Sequence, residues 1–393
     1  MRICVVHNEY GRPSGEEMVV NNIACLLRER GHDVISFGRS SNEISNMFWG
    51  NIRAFFSGIY SWSSKRKMAE LISKEKPDII HVHNVYPLIS PAVLSVCRRA
   101  GVPVIMTVHN YRLVCPNGLH LANGQVCEKC RGGREYWCVL GNCENNFFKS
   151  TGYAVRNYFA RKLRLFRDNV DIFICLTEFQ KARLIAEDFP ADQCIVIFNM
   201  VDEPNEDSNY NLGDYVGFVG RISPEKGIST LLAAAKKLPD MPFKAAGEYD
   251  PASPFLKSAS ANFQFCGYLR SNDIKDFYQR SRFVVLPSIC FEGFPMMILD
   301  AMLRQKPVIC SRIGALPEIV EDGITGLLFN PGDENDLAEK ISYLWKRPQL
   351  CRTMGKAARE KVLQNYSKEK FYEQLMMAYE RARQPQYEAV LQN

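Results

Sequence analysis

Two short stretches in the second half of the sequence carry side chains suited to binding a diphosphate. Gly220-Arg221 follows an apolar run typical of a strand, and Pro224-Glu225-Lys226-Gly227 leads directly into a helical pattern. The positive end of a helix dipole, a guanidinium that can bind two oxygens and a lysine point charge together favour a bound anion. Taken alone, the two cations could equally be ordinary solvated surface charges.

A loop that contains glycine and proline supplies two carboxylates. Glu292 is followed by Gly293-Phe294-Pro295-Met296, and Asp300 lies eight positions after Glu292. Because Gly293 and Pro295 place Glu292 ahead of the next helix, we expect its side chain to point into a cleft, with Asp300 two turns behind. Carboxylates accept hydrogen bonds from sugar and ribose hydroxyls, and the backbone N–H groups after Gly293 can bind phosphate.

The first half of the sequence places histidines at the ends of two predicted strands. His81-Val82-His83 ends one strand and Thr107-Val108-His109 ends the next. Open α/β sheets bind ligands at the carboxyl ends of their strands. A histidine in a strand is nevertheless more often a satisfied core residue, and that is the interpretation for His81 and mostly for His83.

A glycine turn near the amino terminus could also contact phosphate. Gly15 lies between the first predicted strand and a helix, where backbone N–H groups can face an anion. Because the spacing is not G-x-G-x-x-G, a tight turn that only reverses the chain explains the pattern equally well. The turn is supporting evidence at most.

Five cysteines fall in a long loop between residues 110 and 146. They are Cys115, Cys127, Cys130, Cys138 and Cys143. The C-x₂-C pair with two further cysteines close by has the spacing of a structural zinc knuckle, although the spacings are irregular. Free thiols in a lid and a redox-labile disulfide are the competing interpretations.

The elements that must position these residues alternate between strands and helices. Val19, Ile23 and Leu27 lie on one face of a helical pattern that begins at Glu16. The predicted strands are Arg2–His7, Asp33–Phe37, Asp78–His83, Val102–Val108, Asp171–Leu176, Cys194–Phe198, Tyr215–Gly220, Phe243–Ala246, Phe263–Cys266, Phe283–Leu286, Pro307–Cys310 and Gly326–Phe329. This alternation predicts α/β architecture with parallel, doubly wound sheets.

A polar, turn-rich stretch at residues 202–209 divides the pattern into two series. We therefore expect an N-terminal domain at 1–203, with the cysteine-bearing insertion at 110–146, and a second domain at 204–366. The last helical segment, 367–393, is expected to cross back to the first domain. The expected fold is two Rossmann-like domains that face each other across a cleft.

Composition narrows the class of protein. The chain has 393 residues, 46% of them hydrophobic, and a net charge of +6. That length allows two domains with their own cores, and no run of apolar residues is long enough to span a membrane. Several cysteines lie in apolar strand patterns, as expected in a reducing compartment, so the sequence predicts a cytoplasmic protein. The modest positive charge would attract a diphosphate or an anionic membrane surface.

The motifs together resemble family 4 of the glycosyltransferases, which has the GT-B fold. The resemblance rests on Gly220-Arg221, Glu225-Lys226-Gly227, the loop that begins at Glu292, and the run from Gly314 to Val320. It implies that Arg221 and Lys226 neutralise the donor diphosphate and that Glu292 contacts the donor sugar and phosphate. It also implies a ribose contact by Asp300, which replaces the usual glutamate.

The same resemblance implies further roles. It places His109 beside the donor sugar and the first glycine turn, with Gly15, near the phosphate. The implied reaction retains the anomeric configuration of a sugar transferred from a nucleotide sugar, of the UDP class, to a glycan or lipid-linked acceptor in cell-surface polysaccharide synthesis. Because cations and helix dipoles can stabilise the leaving diphosphate, no cofactor is expected for catalysis, and zinc would be structural only.

Aromatic and basic residues cluster in two stretches, at 47–67 and 147–167. Such stretches can lie on an anionic membrane, which would place the protein at the inner face of the cytoplasmic membrane. A core face backed by solvated charges is an equal alternative.

Two other functions compete with glycosyl transfer. A GT-B-fold epimerase would use the same donor cleft without an acceptor. A zinc-stabilised nucleic-acid binder would explain the cysteines and the basic helices, but leaves Glu292 and the doubled α/β pattern unexplained. We therefore expect no nucleic-acid partner.

Overall fold

The computed structural model describes residues 1–11, 14–44, 57–201 and 211–384. The strands, in chain order, are β1 (Arg2–Glu9), β2 (Asp33–Ser40), β3 (Ile79–Asn84), β4 (Val104–Val108), β5 (Leu121–Ala122), β6 (Gln125–Val126), β7 (Ile172–Cys175), β8 (Cys194–Val196), β9 (Tyr215–Val219), β10 (Phe243–Ala246), β11 (Phe263–Gly267), β12 (Ser281–Leu286), β13 (Val308–Ser311) and β14 (Gly326–Phe329).

Helices alternate with these strands. They are α1 (Gly15–Glu29), α2 (Trp62–Glu75), α3 (Leu94–Arg99), α4 (Tyr136–Leu140), α5 (Phe147–Lys162), α6 (Glu178–Ile185), α7 (Ile228–Lys236), α8 (Pro254–Ser258), α9 (Ser271–Arg280), α10 (Met296–Leu303), α11 (Leu316–Ile319), α12 (Glu334–Trp345), α13 (Pro348–Asn365) and α14 (Lys368–Arg383).

The chain forms two compact units. The first contains Met1–Gly118, Glu128–Asn199 and helix α14, and the second contains Leu119–Cys127 and Met200–Ser367. The short β5–β6 hairpin thus packs with the second unit, although it lies within the 110–146 stretch. The turn-rich stretch at 202–209 lies outside the described residues.

The first unit is built on a six-stranded sheet in the order β2-β1-β3-β4-β7-β8, and its neighbouring strands pair in parallel. Strands β3 and β4 are buried along their whole length. Both are rich in Val and Ile, as is usual for parallel strands that are covered on both faces. The order reverses between β1 and β3, so the carboxyl ends of these two strands mark the point where such sheets bind ligands.

The second unit has a six-stranded sheet in the order β11-β10-β9-β12-β13-β14, again with parallel pairs. This is the strand order of a Rossmann fold, and its reversal lies between β9 and β12. Phe218, Ile228 and Phe283 belong to a buried cluster that joins this sheet to its helices. The predicted α/β class, with two Rossmann-like sheets, is confirmed.

Local sequence sets the helix boundaries. Ser14 caps α1 by accepting a hydrogen bond from the Glu17 N–H, and Asp333 caps α12 in the same way. Helix α14 packs in the first unit, where Tyr379 is fully buried and hydrogen-bonds His81 at 2.8 Å. Among the described residues, no helix is both long enough and apolar enough to cross a bilayer.

Candidate active site

The loop after β9 presents the two cations that the sequence singled out. A short 3-10 turn, Pro224–Lys226, ends at Gly227, whose φ of 71° lies in the left-handed region that favours glycine. A Cβ at Gly227 would lie 1.7 Å from the carbonyl oxygen of Pro287, so the turn packs directly against the chain that follows β12. The Ile289 N–H also donates to the Glu225 carbonyl at 3.0 Å. These contacts fix the loop after β9 to the loop after β12.

Lys226 and Glu292 form an ion pair where these two loops meet. Lys226 Nζ lies 2.8 Å from each carboxylate oxygen of Glu292, and the Ser288 hydroxyl donates to Glu292 Oε1. The side chains are only 19% and 10% exposed, which weakens solvent screening of the pair. The pair therefore lies at the strand-order reversal of the second sheet, between β9 and β12.

Both members of the pair are charged at neutral pH. Burial acts to raise the pKa of Glu292, but the Lys226 ammonium and the hydrogen bonds from Lys226 and Ser288 outweigh it, so the pKa is lowered. Burial likewise acts to lower the pKa of Lys226, and the Glu292 carboxylate more than offsets that effect. The two loops thus hold a compensated buried charge pair.

Arg221 is the more accessible cation. Its side chain is 52% exposed and forms a 3.1 Å salt bridge with Glu225, four residues along the chain. Each of the two cations therefore has a carboxylate partner in the structure. A bound diphosphate would have to share these cations with Glu225 and Glu292, and the exposed guanidinium can turn toward it at little cost.

Residues 293–296 connect Glu292 to the start of α10. Phe294 is buried and packs edge-on against Tyr366, with ring centroids 5.7 Å apart. Pro295 occupies the N-cap position of α10 and has no side-chain cap hydrogen bond, so Met296 begins the helix. Phe294 anchors the segment by packing, and Gly293 adds no side chain of its own next to Glu292.

Asp300 lies on α10, in the helix behind Glu292. Its carboxylate is 3.3 Å from Arg304 Nη1 in an i,i+4 pair, and its side chain is 39% exposed. Because the Arg304 guanidinium also donates to the Asp300 carbonyl, the acid is held on the helix surface.

The sequence did not single out two other contributors to this region. Ser288 hydrogen-bonds Glu292, and Phe291 packs against the His120 ring with centroids 5.3 Å apart. The Phe291 N–H donates to the Leu119 carbonyl at 3.2 Å. The spacing of four residues between Ser288 and Glu292 is a local signal that could predict their contact. The contacts of Leu119 and His120 with Phe291 depend on tertiary folding and have no local signal.

In the first unit, His109 follows β4 and contacts His83. His83 Nδ1 and His109 Nε2 are 2.9 Å apart, and the rings stack at 5.2 Å. Burial lowers the pKa of His109 to about 3, so both rings are neutral and one donates to the other. His81 is a satisfied core residue, bonded to Tyr379 and to Thr107.

A second group of polar side chains surrounds the turn before α1. The Glu16 carboxylate accepts hydrogen bonds from the Tyr10 hydroxyl at 2.8 Å and from Asn110 Nδ2 at 3.4 Å. Arg112 Nη1 donates to the same Tyr10 hydroxyl at 3.1 Å. Gly15 begins α1, and apart from its chain neighbours and its own helix no described atom lies within 4 Å of where its Cβ would be. The first turn of α1 thus carries two acids, Glu16 and Glu17, next to Gly15, which was predicted to lie near a phosphate.

The five cysteines of the 110–146 stretch are thiols that form no disulfide within the described part of the chain. Cys138 and Cys143 are hydrogen-bonded, which lowers the pKa of the Cys143 thiol to about 7 and raises that of Cys138. Cys115 donates to Asn117 Oδ1, and the Cys127 N–H donates to the His120 carbonyl. Across the described residues, which include Cys130, no three His, Cys, Asp or Glu side chains are placed to hold a metal ion. The structural zinc stays a prediction.

Comparison with known proteins gives matches along most of the chain. The family model for glycosyltransferase family 4 matches residues 13–203, and the model for glycosyl transferases group 1 matches residues 203–361. An uncharacterized glycosyltransferase of Methanocaldococcus jannaschii is 28% identical over 370 residues, which is 92% of this chain and 93% of the relative. The N-acetyl-alpha-D-glucosaminyl L-malate synthase of Bacillus anthracis is 24% identical, with 94% of each chain covered.

Solved structures show the same fold. The crystal structure of Anabaena HepE in complex with UDP and glucose superposes with a TM-score of 0.67 at 18% identity, covering 97% of this chain and 99% of the other. At that identity the likeness establishes the fold alone.

Proposed function

Because the chain belongs to glycosyltransferase family 4, with the GT-B fold, we propose that it transfers a sugar from a UDP-sugar to a hydroxyl of a glycan or lipid-linked acceptor. The reaction retains the anomeric configuration, and the product is a cell-surface polysaccharide or its precursor. The observation that carries the proposal is the buried Lys226–Glu292 pair at the strand-order reversal of the second sheet, with Arg221 close by in sequence. The family comparisons do not favour an epimerase or a nucleic-acid binder.

The proposed chemistry is stabilisation of a leaving diphosphate. As the bond between the anomeric carbon and the phosphate oxygen breaks, negative charge grows on the diphosphate. The acceptor oxygen forms the new bond to the anomeric carbon, and the departing phosphate oxygen takes up the acceptor's proton. Arg221 and Lys226 neutralise that charge, and backbone N–H groups at Gly293 and the start of α10 add hydrogen bonds. Glu292 accepts hydrogen bonds from donor hydroxyls, and its hold on Lys226 keeps that ammonium in place. The proposed mechanism uses no metal ion.

The remaining donor contacts belong to the same proposal. Phe294, Pro295 and Met296 shape the donor loop, and Asp300 contacts the ribose after it loosens from Arg304. His109 keeps the role beside the transferred sugar that the family resemblance gives it. Gly15 is the weakest member of the set, because Glu16 and Glu17 flank its helix terminus and disfavour a second anion. UDP in the Anabaena structure supports the choice of nucleotide.

Contact with an anionic membrane is also part of the proposal. Phe147 and Phe148 at the start of α5 are 60% and 83% exposed, and Leu140 and Leu163 flank that helix with their side chains exposed. Lys149 and Lys162 lie on the same helix. Exposed aromatics next to lysines are typical of a helix that lies at a lipid interface. The other basic aromatic stretch, at 47–67, lies partly outside the described residues.

Incubation with a panel of UDP-, GDP- and ADP-sugars tests the function. Transfer of the sugar to an added glycan or lipid acceptor, with release of the nucleoside diphosphate, supports the proposal. Conversion of the donor into an isomer when no acceptor is present would instead support the epimerase. Salt-dependent retention on DNA or RNA would support the nucleic-acid binder.

A further inference from the structure

Two buried titratable side chains face each other at the carboxyl end of β1. His7 is only 7% exposed, and the Glu16 side chain is 10% exposed. His7 Nδ1 and Glu16 Oε1 are 3.8 Å apart, which is too far for a hydrogen bond. Both ring nitrogens of His7 and the Oε1 atom of Glu16 lack a hydrogen-bond partner within the described part of the chain.

The other carboxylate oxygen of Glu16 is held firmly. Glu16 Oε2 accepts hydrogen bonds from the Tyr10 hydroxyl and from Asn110 Nδ2. Arg112 Nη1 in turn donates to the Tyr10 hydroxyl at 3.1 Å. The Tyr10 N–H donates to Glu17 Oε1 at 2.7 Å, which fixes the turn before α1. These contacts orient Glu16 and leave one oxygen aimed at His7. A buried polar atom left without a partner is costly, so such an arrangement is expected where a ligand supplies the missing bond.

The chemistry of the pair selects the ligand. Burial lowers the pKa of His7 to about 4, so the ring is neutral and offers one N–H donor and one nitrogen acceptor. Burial raises the pKa of Glu16 to about 7, against the Arg112 cation and the hydrogen bonds from Tyr10 and Asn110, which act to lower it. A hydroxyl group can donate to the carboxylate and accept from the imidazole at once. A phosphate is disfavoured beside a buried acid.

We propose that Glu16 Oε1 and His7 bind a hydroxyl group of the acceptor sugar, with Tyr10 and Asn110 as positioning residues for Glu16. The inference rests on the proposed function, since it names the residues that would take hold of the hydroxyl-bearing substrate. Asn110 directly follows His109, so the pair lies on the same edge of the first sheet as that histidine. In this arrangement the acceptor hydroxyl donates to Glu16 Oε1 and accepts from the His7 N–H.

The test compares Glu16→Gln with Glu29→Gln, a matched control at the exposed end of the same helix. The acceptor probes are 4-nitrophenyl glycosides of common monosaccharides, used with the donor that the wild type accepts. We expect Glu16→Gln to lower kcat/KM for the acceptor about tenfold or more, mainly through KM, while the donor KM stays unchanged. Glu16→Asp should restore part of the loss. Transfer by Glu16→Gln at the wild-type rate overturns the inference.

A binding measurement on the unaltered protein guards against a variant that fails to fold. The chain has six histidines, so ¹³C labelling of histidine gives a simple spectrum in which His7 can be assigned by His7→Gln. Saturating amounts of the same glycosides should shift the His7 signal and leave that of His32 in place. No shift with any glycoside contradicts the inference. If the wild type binds no nucleotide sugar, the proposed function fails instead.

Discussion

Lys226 Nζ lies 2.8 Å from both carboxylate oxygens of Glu292, although the two residues are 66 positions apart. Each belongs to a loop at the carboxyl end of a central strand of the second sheet, and Gly227 lets those loops meet. The pair links the two loops structurally and is also proposed to bind the donor. The structural role predicts an effect on stability, and the binding role predicts an effect on the rate of transfer.

The first prediction concerns the ion pair itself. Glu292→Gln or Lys226→Met should each lower the rate of transfer at least 100-fold, because a charge that faces the diphosphate or holds the ammonium is lost. Each single change also leaves a buried charge unpaired, which should cost about 3–5 kcal/mol of stability. The double change removes both charges, and it should recover much of the stability without any activity. Initial rates and denaturant unfolding separate the two effects, with Lys236→Met as the surface control. An active double variant would contradict the assignment.

The second prediction concerns the turn that carries Lys226. Gly227→Ala combines a left-handed φ of 71° with a Cβ that would meet the Pro287 carbonyl oxygen. It should destabilise the protein by about 3 kcal/mol and reduce donor binding, because the loop after β9 must move away from the loop after β12. Gly323→Ala has a φ of 80° with open space around it, so it should cost only about 1 kcal/mol. Equal effects in the two variants would mean that the close contact is not important.

The third prediction is a loss of stability in mild acid. Burial lowers the pKa of His7 to about 4, and of His81 and His109 to about 3, from an ordinary value of 6.5. These three histidines therefore bind fewer protons in the folded protein than in the unfolded chain below pH 6.5, and their contribution to the free energy of unfolding falls as the pH falls from 6.5 toward 4. His7→Gln should reduce that slope by about one proton, as measured by urea unfolding at a series of pH values. An unchanged slope would show that His7 is not buried in neutral form.

Glu16 should act in the opposite direction. Its pKa is raised from 4.5 to about 7, so Glu16 is more fully protonated in the folded protein than in the unfolded chain between those values. Its contribution therefore lowers stability as the pH rises through that range, by about 3 kcal/mol in all. Glu16→Gln should remove this term and stabilise the protein above neutral pH. Urea unfolding above and below the transition measures it, and a Gln variant with reduced stability at high pH would contradict it.

The fourth prediction concerns membrane contact. Phe147→Ser with Phe148→Ser should weaken sedimentation with vesicles that contain phosphatidylglycerol, because exposed apolar area is lost from α5. Met377→Ser, at an equally exposed position on α14, serves as the control. Vesicles of phosphatidylcholine alone should bind less of the wild type, since charge attraction is missing. Equal sedimentation of both variants with both kinds of vesicle would contradict the proposed membrane contact.

The sequence predicted most of the strands because buried parallel strands are short runs in which apolar residues predominate. Phe243–Ala246 and Gly326–Phe329 have the predicted bounds, and β1 extends two residues beyond its predicted end. Strands β5 and β6 went unpredicted, since two-residue strands carry no period. The local sequence pattern therefore predicts strands that are buried in a core, and it does not predict short strands such as β5 and β6.

The sequence offered candidate residues for the site but not their pairings. Arg221, Lys226 and Glu292 stand out because the two cations precede a predicted helix and the acid precedes a Gly-x-Pro sequence. That Lys226 binds Glu292 depends on which strands become neighbours, and no local pattern reports this. His7 and Glu16 were overlooked because His7 sits inside an apolar strand and Glu16 looks like an ordinary acid in the first turn of a helix.

Nucleotide-induced stabilisation tests the central claim most directly. A ligand that binds only the folded protein raises its melting temperature, and no acceptor is needed to see the effect. We predict that UDP or a UDP-sugar raises the Tm of the wild type, and that Arg221→Met combined with Lys226→Met removes most of the rise. The claim is contradicted if no nucleoside diphosphate or nucleotide sugar raises the Tm, or if the double variant responds as strongly as the wild type.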